Sequence, residues 1–172
     1  MTLLETALEI GEIEYELGAG EEGTNNSGPF VHKYLNELAE PPANWCAAFV
    51  CWCIREACNQ FGIEMPFEYT LSARRIFNIF RNNGWIVEQH TEPIPGDLIF
   101  FWRGDVNGWM GHVGFVKDTY EERKISEIDG SELYKKIVKT LEGNKGYFPA
   151  RVNHYKYDYA HIPQFLGFGR LK

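Results

Sequence analysis

Cys46 follows Trp45 and opens the apolar run Ala47-Ala48-Phe49-Val50-Cys51-Trp52. This spacing predicts a thiol in the first turn of a buried helix. Unpaired backbone N–H groups and a partial positive charge stabilise a thiolate there. Such a position can lower a cysteine pKa from about 8.5 to roughly 3.5–7.5, giving a nucleophile at neutral pH. Nucleophilic catalysis by cysteine also needs an imidazole to exchange protons and a polar group to orient that ring. His112, within Gly108-Trp109-Met110-Gly111-His112-Val113-Gly114-Phe115, meets the first need. Its flanking glycines let backbone approach a helix end or a substrate closely. Glu142 and Asn144, within Leu141-Glu142-Gly143-Asn144, meet the second, because an antiparallel strand ends beside the start of its partner.

The elements that must position these groups are legible as helices first and strands afterwards. Leu3, Leu4, Ala7, Leu8 and Ile10 form a helical stripe within residues 2–17 that ends near Gly11. Residues 18–28 read as a loop, and Pro29 suits the first position of a second helix, which Pro41-Pro42 would end. Asn44 is the expected N-cap of the helix carrying Cys46, which runs to about Gln60. A fourth helix is predicted from Ser72 to Asn82, before the Asn83-Gly84 turn. Strand-like runs follow at Leu98–Trp102, His112–Val116, Lys136–Leu141, Arg151–Tyr155 and Leu166–Gly169. The charged stretch 117–135 reads as a hairpin extension or an insertion. The whole predicts one α+β domain over residues 1–172, with N-terminal helices packed on a C-terminal antiparallel sheet.

Composition narrows the function classes. With 24 acidic and 17 basic residues the net charge is −7, and no basic run stands out, so nucleic-acid binding is not expected. No apolar run reaches the ~18 residues of a transmembrane helix. The N-terminus carries acids where a secretory signal carries bases, so cytoplasmic synthesis without a signal peptide is expected. The cysteines 46, 51, 53 and 58 crowd one helix, which favours free thiols, and four thiols on one helix cannot face one tetrahedral zinc. Cys51, Cys53 and Cys58 are therefore read as packing residues, and no metal or cofactor is expected. Asp97 reads as a turn residue, and Arg74 and Arg75 as one solvated and one paired residue without a role. Trp102 and Trp109 flank the histidine strand and are candidates for the wall of a substrate groove, with core or rim packing the competing role.

The segments WCAAFVCWC, PIPGDLIFFWRG, GWMGHVGFV and LEGN occur in this order, between an early loop with Asn25-Asn26-Ser27-Gly28 and a closing Gly167-Phe168-Gly169-Arg170. In this the chain resembles the CHAP family of cysteine, histidine-dependent amidohydrolases/peptidases, in its phage-lysin and bacterial wall-hydrolase branch. The resemblance implies a papain-like fold and hydrolysis of amide bonds in peptidoglycan through a thioester. It makes Cys46 the nucleophile, His112 the base and then the acid, Glu142 the group orienting His112, and Asn144 the fourth member. The Cys46 backbone N–H would be the oxyanion donor. The charged 117–135 segment departs from the family pattern. There is no Asp-rich loop, so the calcium site of some members is not expected. The implied site of action is the cell wall, reached with the help of a holin, a secretion apparatus or a larger parent protein, by an enzyme expected to be a monomer. A non-catalytic wall-binding module of the same fold, and an antibacterial amidase toxin with an immunity protein, are the competing readings.

Overall fold

A computed structural model describes residues 1–172. Helix α1 spans Leu3–Glu16, α2 Pro29–Leu35, α3 Cys46–Phe61 and α4 Ala73–Asn82. The strands are β1 Leu98–Trp102, β2 Gly111–Ile125, β3 Glu132–Glu142, β4 Asn153–Asp158 and β5 Phe165–Gly169, with a single 3-10 turn at Tyr159–His161. All strand pairs are antiparallel, in the order β4-β3-β2-β1-β5. This is the expected α+β, papain-like arrangement.

Helix α3 is the centre of the molecule. Ten of its sixteen residues are buried, because apolar side chains occupy nearly its whole circumference in the first three turns. One side packs on α1 and α2, and the other on the sheet through Val113, Phe115 and Leu141. Alternation puts the neighbouring strand residues on the far face, where Ile99, Phe101, Val116, Val138 and Phe168 form a second, smaller cluster. Helix α1 runs through Gly11, whose missing side chain lets Leu141, Phe49 and Cys53 pack against the helix backbone.

The turn before β1 is locked from two sides. Asp97 is buried and accepts the Ile94 N–H at 2.9 Å, the turn role expected of it. It also pairs with Arg170, whose Nε and Nη2 lie 2.8 and 2.7 Å from its two oxygens. The PIPGD and GFGR segments are thus two halves of one joint.

Two local expectations are corrected. Helix α2 ends at Leu35, with Asn36 in the left-handed conformation, and the Pro41-Pro42 pair lies beyond it. The N-cap of α3 is Trp45, not Asn44, and no side chain caps it. Trp45 is fully buried against Tyr34 and fixes where the chain enters the helix, which leaves Asn44 facing a surface cleft. Of the two readings of the 117–135 segment the structure has the hairpin extension: β2 and β3 continue through it, with one register shift between Val116 and Asp118, as far as Ile125 and Glu132.

Candidate active site

Cys46 is the first residue of α3, as the apolar run requires, and the only cysteine at that helix's positive end. The His112 ring and the backbone N–H groups of Ala47 and Val113 surround its sulfur and favour the thiolate. His112 is the second residue of β2 and stands opposite Phe101 across the ladder, ring centroids 5.8 Å apart. Its Nε2 lies 2.8 Å from Glu142 Oε2, which leaves Nδ1 for the sulfur. Cys46 and His112 are nearly buried and Glu142 is wholly so.

Glu142 closes β3 beside the start of β2, and its carboxylate is saturated. Oε1 accepts from Thr140 Oγ1 at 2.6 Å and from the Tyr157 hydroxyl at 2.7 Å. Oε2 takes His112 and lies 3.2 Å from Lys145 Nζ. The ammonium of Lys145 is in turn boxed by the Tyr155 and Tyr157 rings, 4.0 and 4.5 Å from their centroids. Thr140, Lys145 and Tyr157 are unremarkable in the sequence. Only the β3–β4 register, which sets Thr140 opposite Tyr155 and Val138 opposite Tyr157, brings them together.

Burial alone would push all three central groups towards neutrality, and it is the largest single influence on each. For Cys46 it is outweighed by the His112 charge and hydrogen bonds, so the thiol lies below its ordinary value. His112 is raised to about 9, burial being overcome by the Cys46 charge and hydrogen bond and then by Glu142. Glu142 is lowered to about 2, burial being overcome chiefly by His112 and then by Lys145 and Thr140. The arrangement thus favours a thiolate–imidazolium–carboxylate chain over its neutral form. By contrast burial pushes Cys51 up to about 12 and raises Cys53 and Cys58 as well.

Gly114 makes this network possible. A Cβ built there would lie 2.5 Å from Glu142 Cγ and 2.9 Å from the Leu141 carbonyl oxygen. The glycine thus clears the path of Glu142 to His112, and not an approach to a helix. Because Glu142 is held by four partners it cannot swing away cheaply. Gly114→Ala is expected to cost about 1–3 kcal/mol of stability, seen in a denaturant titration, and to lower turnover by displacing the carboxylate. An unchanged midpoint and unchanged turnover would show that Gly114 has no such part.

A second glutamate, Glu21, supports the helix start from behind. It is buried, accepts the Trp45 indole N–H at 3.2 Å and the Ala150 N–H at 2.9 Å, and so ties the 18–28 loop to the residue before Cys46.

Cys46 and His112 open into a cleft of about 310 Å³, walled by Asn44, Ala73, Arg103, Trp109 and Asn144 among others. Asn144, in a left-handed conformation, lines this cleft and makes no hydrogen bond to His112. Trp109 is on the rim and 79% exposed. Trp102 is half-buried and is not part of this wall. Arg75 is the paired one, on Glu68, whereas Arg74 is half-buried and holds the Val106 carbonyl at 2.7 Å.

A cysteine at a helix N-terminus and a histidine on the adjoining antiparallel sheet, with a buried acid behind the histidine, define the papain-like class of folds. Within that class, the family model of the CHAP domain matches residues 39–131, more than half of the chain, and the chain belongs to the CHAP family. Membership places it among amidohydrolases and peptidases that act on peptidoglycan. No curated protein and no solved structure matches the chain. No helix is long and apolar enough to cross a membrane.

Proposed function

We propose that this chain is a cysteine-dependent hydrolase that cleaves an amide bond of bacterial peptidoglycan through a thioester. The observation that carries this reading is Cys46 at the start of α3 facing His112, whose Nε2 is held 2.8 Å from buried Glu142, at the floor of an open cleft. A wall-binding module has no use for a charged thiolate pair held dry at such cost in desolvation.

The Cys46 thiolate attacks the amide carbonyl carbon, forming a C–S bond and moving the π electrons onto oxygen. The Cys46 N–H at the start of α3 is the donor to that oxyanion, and Asn144, which lines the same cleft, is a second polar group within it. The His112 imidazolium gives its proton to the amide nitrogen, the C–N bond breaks, and an amine leaves. His112, now neutral, takes a proton from water as the water oxygen adds to the thioester. Collapse releases a carboxylic acid and returns the thiolate and imidazolium. Glu142 keeps the ring in position and stabilises its charged form throughout.

Digestion of purified sacculi tests this, with the soluble fragments read by mass spectrometry. The expected products carry a new amine and a new carboxyl terminus in equal numbers at one type of amide bond. This also separates the sugar lactyl–L-alanine bond from bonds within the stem or cross-bridge. Fragments with glycosidic ends only, or no release, would overturn the proposal.

A further inference from the structure

Beside the catalytic cleft lies a second cavity of about 560 Å³, lined by Arg74, Phe77, Asn78, Arg81, Asn107 and Trp109 among others. Trp109 belongs to both walls, so the two cavities share one rim. Arg74 and Arg81 are two helical turns apart on one side of α4, and their guanidinium carbons lie 6.0 and 5.7 Å from the centroid of the same Phe77 ring.

These arginines are unusual in this acidic chain. Arg55, Arg75, Arg123 and Arg170 each pair with a carboxylate. Of the four that do not, Arg74, Arg81 and Arg103 all line the catalytic cleft or the cavity beside it. Only Arg151 lies elsewhere, on the Gly18 carbonyl. Arg74 spends Nη2 on the Val106 carbonyl, and its buried Nε has no acceptor in the protein. Asp105, the one carboxylate of the 103–110 loop, is turned into its own backbone, accepting the Asn107 N–H at 2.8 Å.

A buried orphan N–H costs free energy that a bound acceptor would recover. Two guanidinium groups line the same cavity, over one ring, with no protein carboxylate paired to either. Planar, forked guanidinium donors fit a carboxylate, and the two asparagines add neutral donors. We propose that Arg74 and Arg81, with Asn78 and Asn107, form a subsite for a free carboxylate of the substrate peptide, placed across Trp109 from the amide presented to Cys46. The proposal rests on the hydrolase reading above and adds to it a charge preference in the substrate.

The test uses muropeptides whose peptide carboxylates are free, and the same muropeptides with those carboxylates converted to carboxamides. Wild-type protein is expected to prefer the free form by about tenfold or more in kcat/KM, with the preference shrinking as salt rises. Arg81→Gln should bring the ratio to about one. Arg81 makes no side-chain hydrogen bond within the protein, so this variant is expected to fold. Arg151→Gln, the unpaired arginine far from the cleft, should keep the wild-type ratio. Cleavage of both substrates with a ratio near one in wild type, or a ratio unmoved by Arg81→Gln, would overturn the subsite and leave the hydrolase reading intact. Cleavage of neither substrate would instead sink the hydrolase reading. In that case calorimetric titration of the same two muropeptides into wild-type and Arg81→Gln protein decides on the subsite by the same ratio.

Discussion

Cys46→Ala is expected to lower hydrolysis of sacculi by at least about 10⁴-fold while leaving the fold intact. The size of the effect follows from the proposed reaction: without the sulfur there is no atom within the site to form the acyl intermediate. The remaining groups can only position water and polarise a carbonyl. The fold should survive because, although Cys46 belongs to the core cluster, the change removes a single sulfur atom at the floor of the cleft and leaves the other packing residues of α3 in place. Removing it also relieves the desolvation of a buried anion, and His112 keeps Glu142 as a partner. Cys46→Ser should be similarly inactive, since a hydroxyl does not become an anion beside an imidazolium at neutral pH. Turnover, circular dichroism and the unfolding midpoint of the three proteins check this together. A Cys46→Ala protein that retained more than a few per cent of activity would remove Cys46 from the mechanism.

How much of this site could be read from the chain differs residue by residue. Cys46 was legible because a helix N-terminus followed by an apolar run is a local pattern, and α3 begins at that residue. His112 and Glu142 were legible because antiparallel neighbours bring a strand end beside a strand start, and the β2–β3 register does so. Gly114 was visible as a glycine, but its use was not, because the atom it makes room for is 28 residues away in sequence. Lys145, Tyr157 and Thr140 carried no signal, since their meeting depends on the register of a third strand. The same limit explains Arg74. Helical periodicity puts it beside α4's apolar face but says nothing of the 103–110 loop, whose Val106 carbonyl draws it inward. Asn44 failed as an N-cap for a related reason. The local preference for Asn yields to Trp45, whose burial between Tyr34 and Glu21 is a tertiary demand.

The Glu142 environment also explains how one carboxylate can raise an imidazole without being neutralised itself. His112 first, and then one ammonium and two hydroxyls, compensate it, so its anionic form is favoured in a fully buried position. Lys145 both stabilises that anion and competes with His112 for it. The ammonium is itself held below its ordinary value, burial outweighing Glu142. The imidazolium therefore owes its high pKa first to Cys46 and only then to Glu142.

That ordering gives the second large prediction, on the pH dependence of the thiol. At pH 6.5, iodoacetamide should modify one cysteine per folded chain, Cys46, on the order of 10²-fold faster than in His112→Ala. The signs follow from the charges. In the wild type, His112 holds the thiol below its ordinary value against the pull of burial. Without the imidazolium, burial is left largely unopposed, so the thiol titrates at or above the ordinary range and little thiolate exists at that pH. Cys51, Cys53 and Cys58 should stay unlabelled, being buried and raised. Alkylation and hydrolysis must then part company on the alkaline side. As pH rises through about 9, His112 loses its proton. Alkylation needs only the thiolate and should hold its plateau, whereas hydrolysis needs the proton for the leaving amine and should fall. Glu142→Gln should move that alkaline limb to lower pH, because the neutral amide no longer stabilises the imidazolium. A thiol that alkylates with an ordinary pKa in the wild type, or an alkaline limb shared by both reactions, would mean that Cys46 and His112 do not form an ion pair.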